Sequence, residues 1–169
     1  WVVYISPNDE LVFEVNGDGT KLKSTDNTIV RYPFGAYFGK WTHISTVFDG
    51  TSNTCYLYIN GIQVAAAINS TYPTSYLRPT DEKQQSKVPL QIGSCNGLSD
   101  NKSLFQNFKG QMDEIRIWTR VLTPTEILCQ KDKELNGNEA GLLVYYRCNE
   151  TAGVINLCDA TGKGYVGEM

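Results

Sequence analysis

FKGQMDEIRIWTRVLTPTEI, residues 108–127, joins a strand-like run, Glu114–Trp118, to a helix start. Thr123 is placed to cap that helix, Pro124 suits its first turn, and Glu126 completes a capping box with Thr123. The spacing predicts a helix through Ile127–Lys133 that stops near Asn136-Gly137. Outward from this stretch, β-branched and aromatic runs recur between Gly, Asn, Asp and Pro turns. They are Trp1–Ser6, Leu11–Val15, Thr28–Arg31, Thr42–Phe48, Cys55–Ile59, Ile62–Ala66, Leu90–Ser94, Glu114–Trp118 and Leu142–Arg147. Strands this short, so regularly punctuated, predict an all-β sandwich or barrel.

Local signals refine that pattern. Asn60-Gly61 separates YLYI from IQVA and predicts a type I′ hairpin, whose two turn positions need positive φ. Asn16-Gly17-Asp18-Gly19 reads as another turn. Along Thr42–Phe48, Ile44, Thr46 and Phe48 share one face, and His43, Ser45 and Val47 the other. Along Cys55–Ile59, Cys55, Leu57 and Ile59 oppose Tyr56 and Tyr58. Both faces carry apolar groups, so the sheet is expected to be covered on one side by its partner and lined with aromatics on the other. Two polar stretches, between Ala67 and Val88 and over Leu98–Asn107, read as long loops.

Composition bounds the function. The 169 residues are 41% hydrophobic, enough for one substantial core. A net charge of −3 with scattered Lys and Arg excludes a nucleic-acid surface and a polybasic membrane stripe. No apolar run approaches the ~20 residues of a membrane-spanning helix. The opening WVVYISPNDE has no charged leader and no starting Met, so the chain is expected to be a piece of a longer polypeptide. Cysteines stand at 55, 95, 129, 148 and 158 without a CxxC pair, which argues against a zinc site. Sequons begin at Asn69, Asn101 and Asn149. Together with the cysteines they point to an extracellular or cell-surface chain carrying glycans and disulfides. Cys148 and Cys158 flank Asn149–Leu157, so a disulfide would close a short loop. Cys55 and Cys95, each at a strand end, are a second candidate pair if their strands are neighbours, and Cys129 is the odd thiol.

Several segments together resemble laminin-G-like domains of the concanavalin-A-like lectin/glucanase jelly-roll type. Trp41–Gly50 is similar to their W-x-H strand ending in F-D-G, and Tyr56–Gly61 to their Y-x-N-G hairpin. Leu90–Gly93 resembles a following strand, and Gly110–Trp118 with Leu122–Ile127 resembles the closing strand and its helix. In the tail, Asn138–Gly153 and Asp159–Gly164 resemble the opening strand and D-x-S-G-x-G turn of the same domain type. The resemblance implies an antiparallel two-sheet β-sandwich with one short helix after the closing strand. Residues 1–138 would be the later part of one sandwich. Residues 139–169 would open a following repeat or complete the same sandwich.

The resemblance also implies sites. Members hold calcium near the turn and before the closing strand, which nominates Asp113, Asp159 and the carbonyls of Gly162 and Gly164, although both acids could equally serve backbone turns. Related glucanases alternate carboxylates along one strand face. Here Asp113 and Glu114 are adjacent, and Arg116 and Trp118 stand where further acids would be, so no catalytic residues are expected. His43 is the sole histidine, so no histidine pair can be assembled from this chain. The aromatic loop RYPFGAYFG, residues 31–39, is read first as a core plug and second as a sugar platform. Tyr72 and Tyr76, in polar surroundings, are the candidate contact residues. The expected function is a noncatalytic extracellular module of a larger repeat-containing cell-surface, matrix or filament protein. Its partners would be a protein or glycan ligand, or neighbouring repeats. The alternatives are a carbohydrate-binding module and an accessory domain of a secreted glycoside hydrolase.

Overall fold

A computed structural model describes residues 1–16, 27–68, 90–95, 106–151 and 153–168. Its strands are β1 (Val2–Ile5), β2 (Glu10–Asn16), β3 (Asn27–Pro33), β4 (Ile44–Asp49), β5 (Thr54–Ile59), β6 (Ile62–Ile68), β7 (Ser94–Cys95), β8 (Gln106–Asn107), β9 (Ile115–Trp118), β10 (Leu142–Tyr146), β11 (Asn156–Leu157) and β12 (Gly167–Glu168). A single α-helix among the described residues, α1, spans Pro124–Gln130. It is too short to cross a membrane.

Two antiparallel three-stranded sheets, β1-β2-β3 and β4-β5-β6, face each other as the sandwich of a β-jelly roll. Period-two alternation builds their shared core. Leu11, Phe13 and Val15 of β2 and Val30 of β3 meet Cys55, Leu57 and Ile59 of β5, all buried. Phe34 plugs the core, stacked on Tyr37 with ring centroids 5.2 Å apart, and the half-buried Tyr32 and Tyr37 pack beside it. Phe38, edge-on to Phe34, remains exposed.

The opposite face of β5 is covered by the helix. Tyr58 and Val47 pack on Leu122 and Ile127, with Tyr56 and Trp118 at the margin. The predicted alternation of Cys55, Leu57 and Ile59 against Tyr56 and Tyr58 is thus the division between two cores. The turn that joins β5 to β6 holds Asn60 at φ 52° and Gly61 at φ 80°. A Cβ on Gly61 would lie 2.8 Å from Leu128 Cδ1 and 3.1 Å from Leu128 Cα. Gly61 therefore serves the hairpin and also the seat of α1.

The predicted capping box forms. Glu126 N donates to Thr123 Oγ1 at 3.2 Å, and Thr123 N donates to Glu126 Oε2 at 2.8 Å. The helix ends at Gln130, short of the predicted Lys133, where the chain passes into a tighter turn with Lys133 N donating to Gln130 O at 3.2 Å. Arg116 Nη1 donates to Gln130 O at 2.9 Å, and Nη2 donates to Lys133 O. The strand predicted over Leu90–Ser94 is also corrected. Gly93 turns the chain at φ 80°, so pairing starts only at Ser94 and joins β7 to β8. Gln106 and Asn107, expected in a loop, are the partner strand. The predicted turn at residues 16–19 lies mostly outside the described residues.

Strand β10 runs antiparallel to β9, with Leu142 opposite Trp118 and Tyr146 opposite Ile115. Leu135, Leu142 and Tyr145 form a third buried cluster with Trp118 and Ala160. Trp118 belongs to both the second and third clusters, which links the helix layer to the tail.

Candidate functional site

The acids Asp113 and Glu114 precede β9 rather than lying in it. Glu114 adopts φ 55°, and its N–H donates to Asp113 Oδ1 at 2.9 Å. The left-handed turn sends the Glu114 carboxylate toward β10. There the Tyr145 hydroxyl lies 2.7 Å from Oε2 and 2.9 Å from Oε1, and Arg116 forms an ion pair with Oε2. The Tyr145 oxygen also accepts from Leu135 N at 3.1 Å. Two guanidiniums lie over the Tyr145 ring, Arg116 at 5.2 Å and Arg147 at 5.3 Å from its centroid. Arg147 Nη2 in turn donates to Leu135 O at 2.9 Å, and its Nε lies 2.9 Å from Glu134 Oε1.

This arrangement holds Glu114 for structure. A retaining glycosidase needs two carboxyl groups about 5 Å apart across the scissile bond. The Glu114 carboxylate is instead engaged by a phenol and a guanidinium, and Asp113 accepts from its own neighbour's backbone. The fourfold set Glu114, Arg116, Tyr145 and Arg147 is not legible in the sequence, since its members span 33 positions and no local spacing connects them.

Asp159 organises the tail turn. Its Oδ1 accepts from Tyr145 N at 3.2 Å and from Thr161 N at 3.1 Å. Its Oδ2 accepts from Thr161 Oγ1 at 2.7 Å and from Tyr165 N at 3.4 Å. Burial pushes this carboxyl up, but the donors from Thr161, Tyr145 and Tyr165 together hold it below the usual range. Calcium asks for six to eight oxygen ligands. Here four N–H and O–H donors already occupy the carboxylate. Gly164 O accepts from Val166 N at 3.0 Å, and among the described residues no three His, Cys, Asp or Glu side chains converge. In this structure Asp113 and Asp159 accept turn hydrogen bonds, and Gly162 at φ 70° and Gly164 at φ 84° shape the tail turn.

His43 exchanges backbone and side-chain bonds with the hairpin: its N–H donates to Asn60 Oδ1 at 3.0 Å, and Asn60 N donates to its carbonyl at 2.9 Å. Burial, then the charges of Arg116 and Lys131, hold the imidazole below its ordinary pKa. Cys55, Cys129, Cys148 and Cys158 are free thiols. Cys55 points into the sandwich core, where burial pushes its thiol up to about 12, and the side chain of its expected partner Cys95 lies outside the described residues. Cys148 and Cys158 are likewise unpaired here. Asn149 is exposed in a loop, as a glycan acceptor requires. Asn69, Asn101, Tyr72 and Tyr76 lie outside the described residues. Trp41, within the W-x-H segment, is 69% exposed, close in sequence to the exposed Phe38.

A family model described as the concanavalin A-like lectin/glucanases superfamily, of laminin-G type, matches residues 1–128. No curated protein matches the chain. Among solved structures, a candidate carbohydrate-binding protein from Bacteroides ovatus is 21% identical, with a TM-score of 0.59. The match covers 96% of this chain and 42% of that one, so this chain spans less than half of its length. An S-layer domain-containing protein from Clostridium thermocellum is 21% identical with a TM-score of 0.42, over 73% of this chain and 52% of that one. At such identity the Bacteroides likeness is one of fold.

Proposed function

Because the chain belongs to the concanavalin A-like lectin/glucanase superfamily, we propose that it is a noncatalytic binding module of a longer extracellular protein. The observation that carries this reading is the state of Glu114. The acid that stands before the closing strand is bonded to Tyr145 and Arg116, so it supports the sheet instead of facing a substrate. In this reading the sandwich presents loops and sheet edges to a protein or glycan ligand, or to neighbouring repeats of a cell-surface, matrix or filament protein. Carbohydrate is the second reading. It is favoured by the exposed Trp41 and Phe38, which offer aromatic faces to sugar rings, and by the carbohydrate-binding role ascribed to the Bacteroides neighbour.

One experiment separates these. The chain is run by affinity electrophoresis through gels containing a panel of polysaccharides, and the same polysaccharides are assayed for release of reducing sugar. Retardation without hydrolysis, lost in Trp41→Ala, supports the carbohydrate reading. Neither retardation nor hydrolysis leaves assembly through protein contacts. Hydrolysis abolished by Glu114→Gln would overturn the noncatalytic reading.

A further inference from the structure

The sequon Asn149-Glu150-Thr151 opens the loop that follows β10, and the fold sorts its three side chains. Cys148 takes φ 54°, a left-handed turn two residues past the end of the strand. Glu150 then faces inward. Its Oε1 accepts from Cys158 N at 2.8 Å, and its Oε2 is buried. Asn149 and Thr151, on either side of it, are exposed. Among the described residues, neither the Asn149 amide nor the Thr151 hydroxyl takes a hydrogen bond. The Thr151 carbonyl accepts from Val154 N at 3.2 Å, which closes the turn after the motif. The middle residue thus anchors the loop, while the two residues that define the motif stand free in solvent. That division comes from the Cys158 N–H across the loop, not from the motif itself. The sequons at Asn69 and Asn101 lie outside the described residues.

We propose that Asn149 is an acceptor for an N-linked glycan, a site that rests on the extracellular reading above because such glycans mark surface loops of secreted chains. The co-substrate is an oligosaccharide carried on a lipid diphosphate. The Asn149 side-chain nitrogen attacks the anomeric carbon of its first sugar. One C–N bond forms, and the C–O bond to the diphosphate breaks. The lipid diphosphate leaves with the bonding pair, and the amide gives up one proton, so neither an oxidant nor a reductant is needed. The Thr151 hydroxyl supplies the second recognition group of the motif. The finished fold accommodates the product, since the exposed Asn149 amide has no bond to lose when it carries a sugar. The Glu150 bond to Cys158 N holds the loop to the tail on the side away from the attachment point.

The whole chain is fused to a secretion leader and expressed in a eukaryotic cell line. The secreted protein, still folded, is treated with a peptide-N-glycosidase in heavy-oxygen water, then digested and mapped by mass spectrometry. The expected result is conversion of Asn149 to heavy-labelled aspartate in most copies, absent without the glycosidase. The label at this position should disappear in Thr151→Ala and persist in Thr151→Ser. Secretion of a chain with unlabelled Asn149 would overturn the proposal, as would a label that survives Thr151→Ala. A label that appears only after denaturation would overturn it too, because it would place Asn149 inside a contact. Since the leader supplies the compartment, an unmodified Asn149 counts against the site and not against the extracellular reading. If a variant is not secreted, the wild-type map decides by itself.

Discussion

The Tyr145 hydroxyl on β10 donates to the Glu114 carboxylate at the mouth of β9, its oxygen 2.7 Å from Oε2. The same oxygen accepts from Leu135 N, so one phenol joins the closing strand, the segment after α1 and the tail. Removing it strands a buried N–H and loosens an ionised acceptor at once. A net hydrogen bond contributes about 1 kcal/mol, and a buried group left unmet costs about 1–3 kcal/mol. Tyr145→Phe should therefore lower stability by about 2–3 kcal/mol in urea unfolding, with its ring still filling the third cluster. A loss below about 0.5 kcal/mol would mean that water replaces the hydroxyl without cost.

Gly61 carries two demands at one position, positive φ and close approach of α1. The left-handed conformation costs a residue with a Cβ about 1–2 kcal/mol. Overpacking against Leu128 adds about 1–3 kcal/mol. Gly39, at φ 71° and with no atom within 4 Å of the point where a Cβ would stand, bears only the first demand. Gly61→Ala should thus destabilise the chain more than Gly39→Ala by at least about 1 kcal/mol, measured by thermal melts of both variants. Equal losses would show that the helix shifts freely away from the turn.

Asp159 makes a pH prediction. Its folded pKa lies below the ordinary value of 3.8. Between the folded and unfolded values the unfolded state binds more protons, so stability rises with pH across that window. The contribution is fully present above about pH 5 and is lost as pH falls through the folded pKa. Asp159→Asn keeps one acceptor and turns the other into a donor facing Thr161 Oγ1 and Tyr165 N. It should cost about 1–2 kcal/mol near neutrality. It should also flatten the acid limb of a stability profile measured from about pH 2 to 5. An acid limb identical to that of the wild type would remove Asp159 from the account.

What can be read from the residues alone follows the range of each interaction. The Asn60-Gly61 hairpin and the Thr123–Glu126 capping box are local, and both form with the partners that their spacing names. The face alternation of β5 is local too, though which face meets the helix needs Ile127, 69 positions from Tyr58. At the end of α1 the Lys133 N–H closes locally on Gln130 O, whereas the bond from Arg116, fourteen residues earlier, to the same carbonyl has no local signal. The run Leu90–Ser94 has strand-like composition throughout, yet a single Gly93 conformation breaks it. Site residues are less legible for the same reason. Asp113 and Asp159 carry the residue type that calcium favours, yet the donors that engage Asp159 come from Tyr145, Thr161 and Tyr165 and are visible only once β10 lies against the tail.

His43 is the single histidine, so its titration can be observed without assignment. Burial lowers its pKa first, and the neighbouring Arg116 and Lys131 charges lower it further, partly opposed by Asp132. Protonation is thus disfavoured in the folded chain relative to the unfolded one, whose imidazole titrates near 6.5. Above that value both states are neutral and no stability depends on the group. Below it the unfolded chain gains a proton that the folded chain resists, so stability falls as pH drops from about 6.5 toward 5. The folded-state imidazole signal should titrate below 6.5 in proton NMR. His43→Gln should remove the slope of stability in this window, while the backbone exchange with Asn60 is retained. A folded-state titration at or above 6.5, or a slope that survives in His43→Gln, would show that solvent reaches the ring and that other groups carry the dependence.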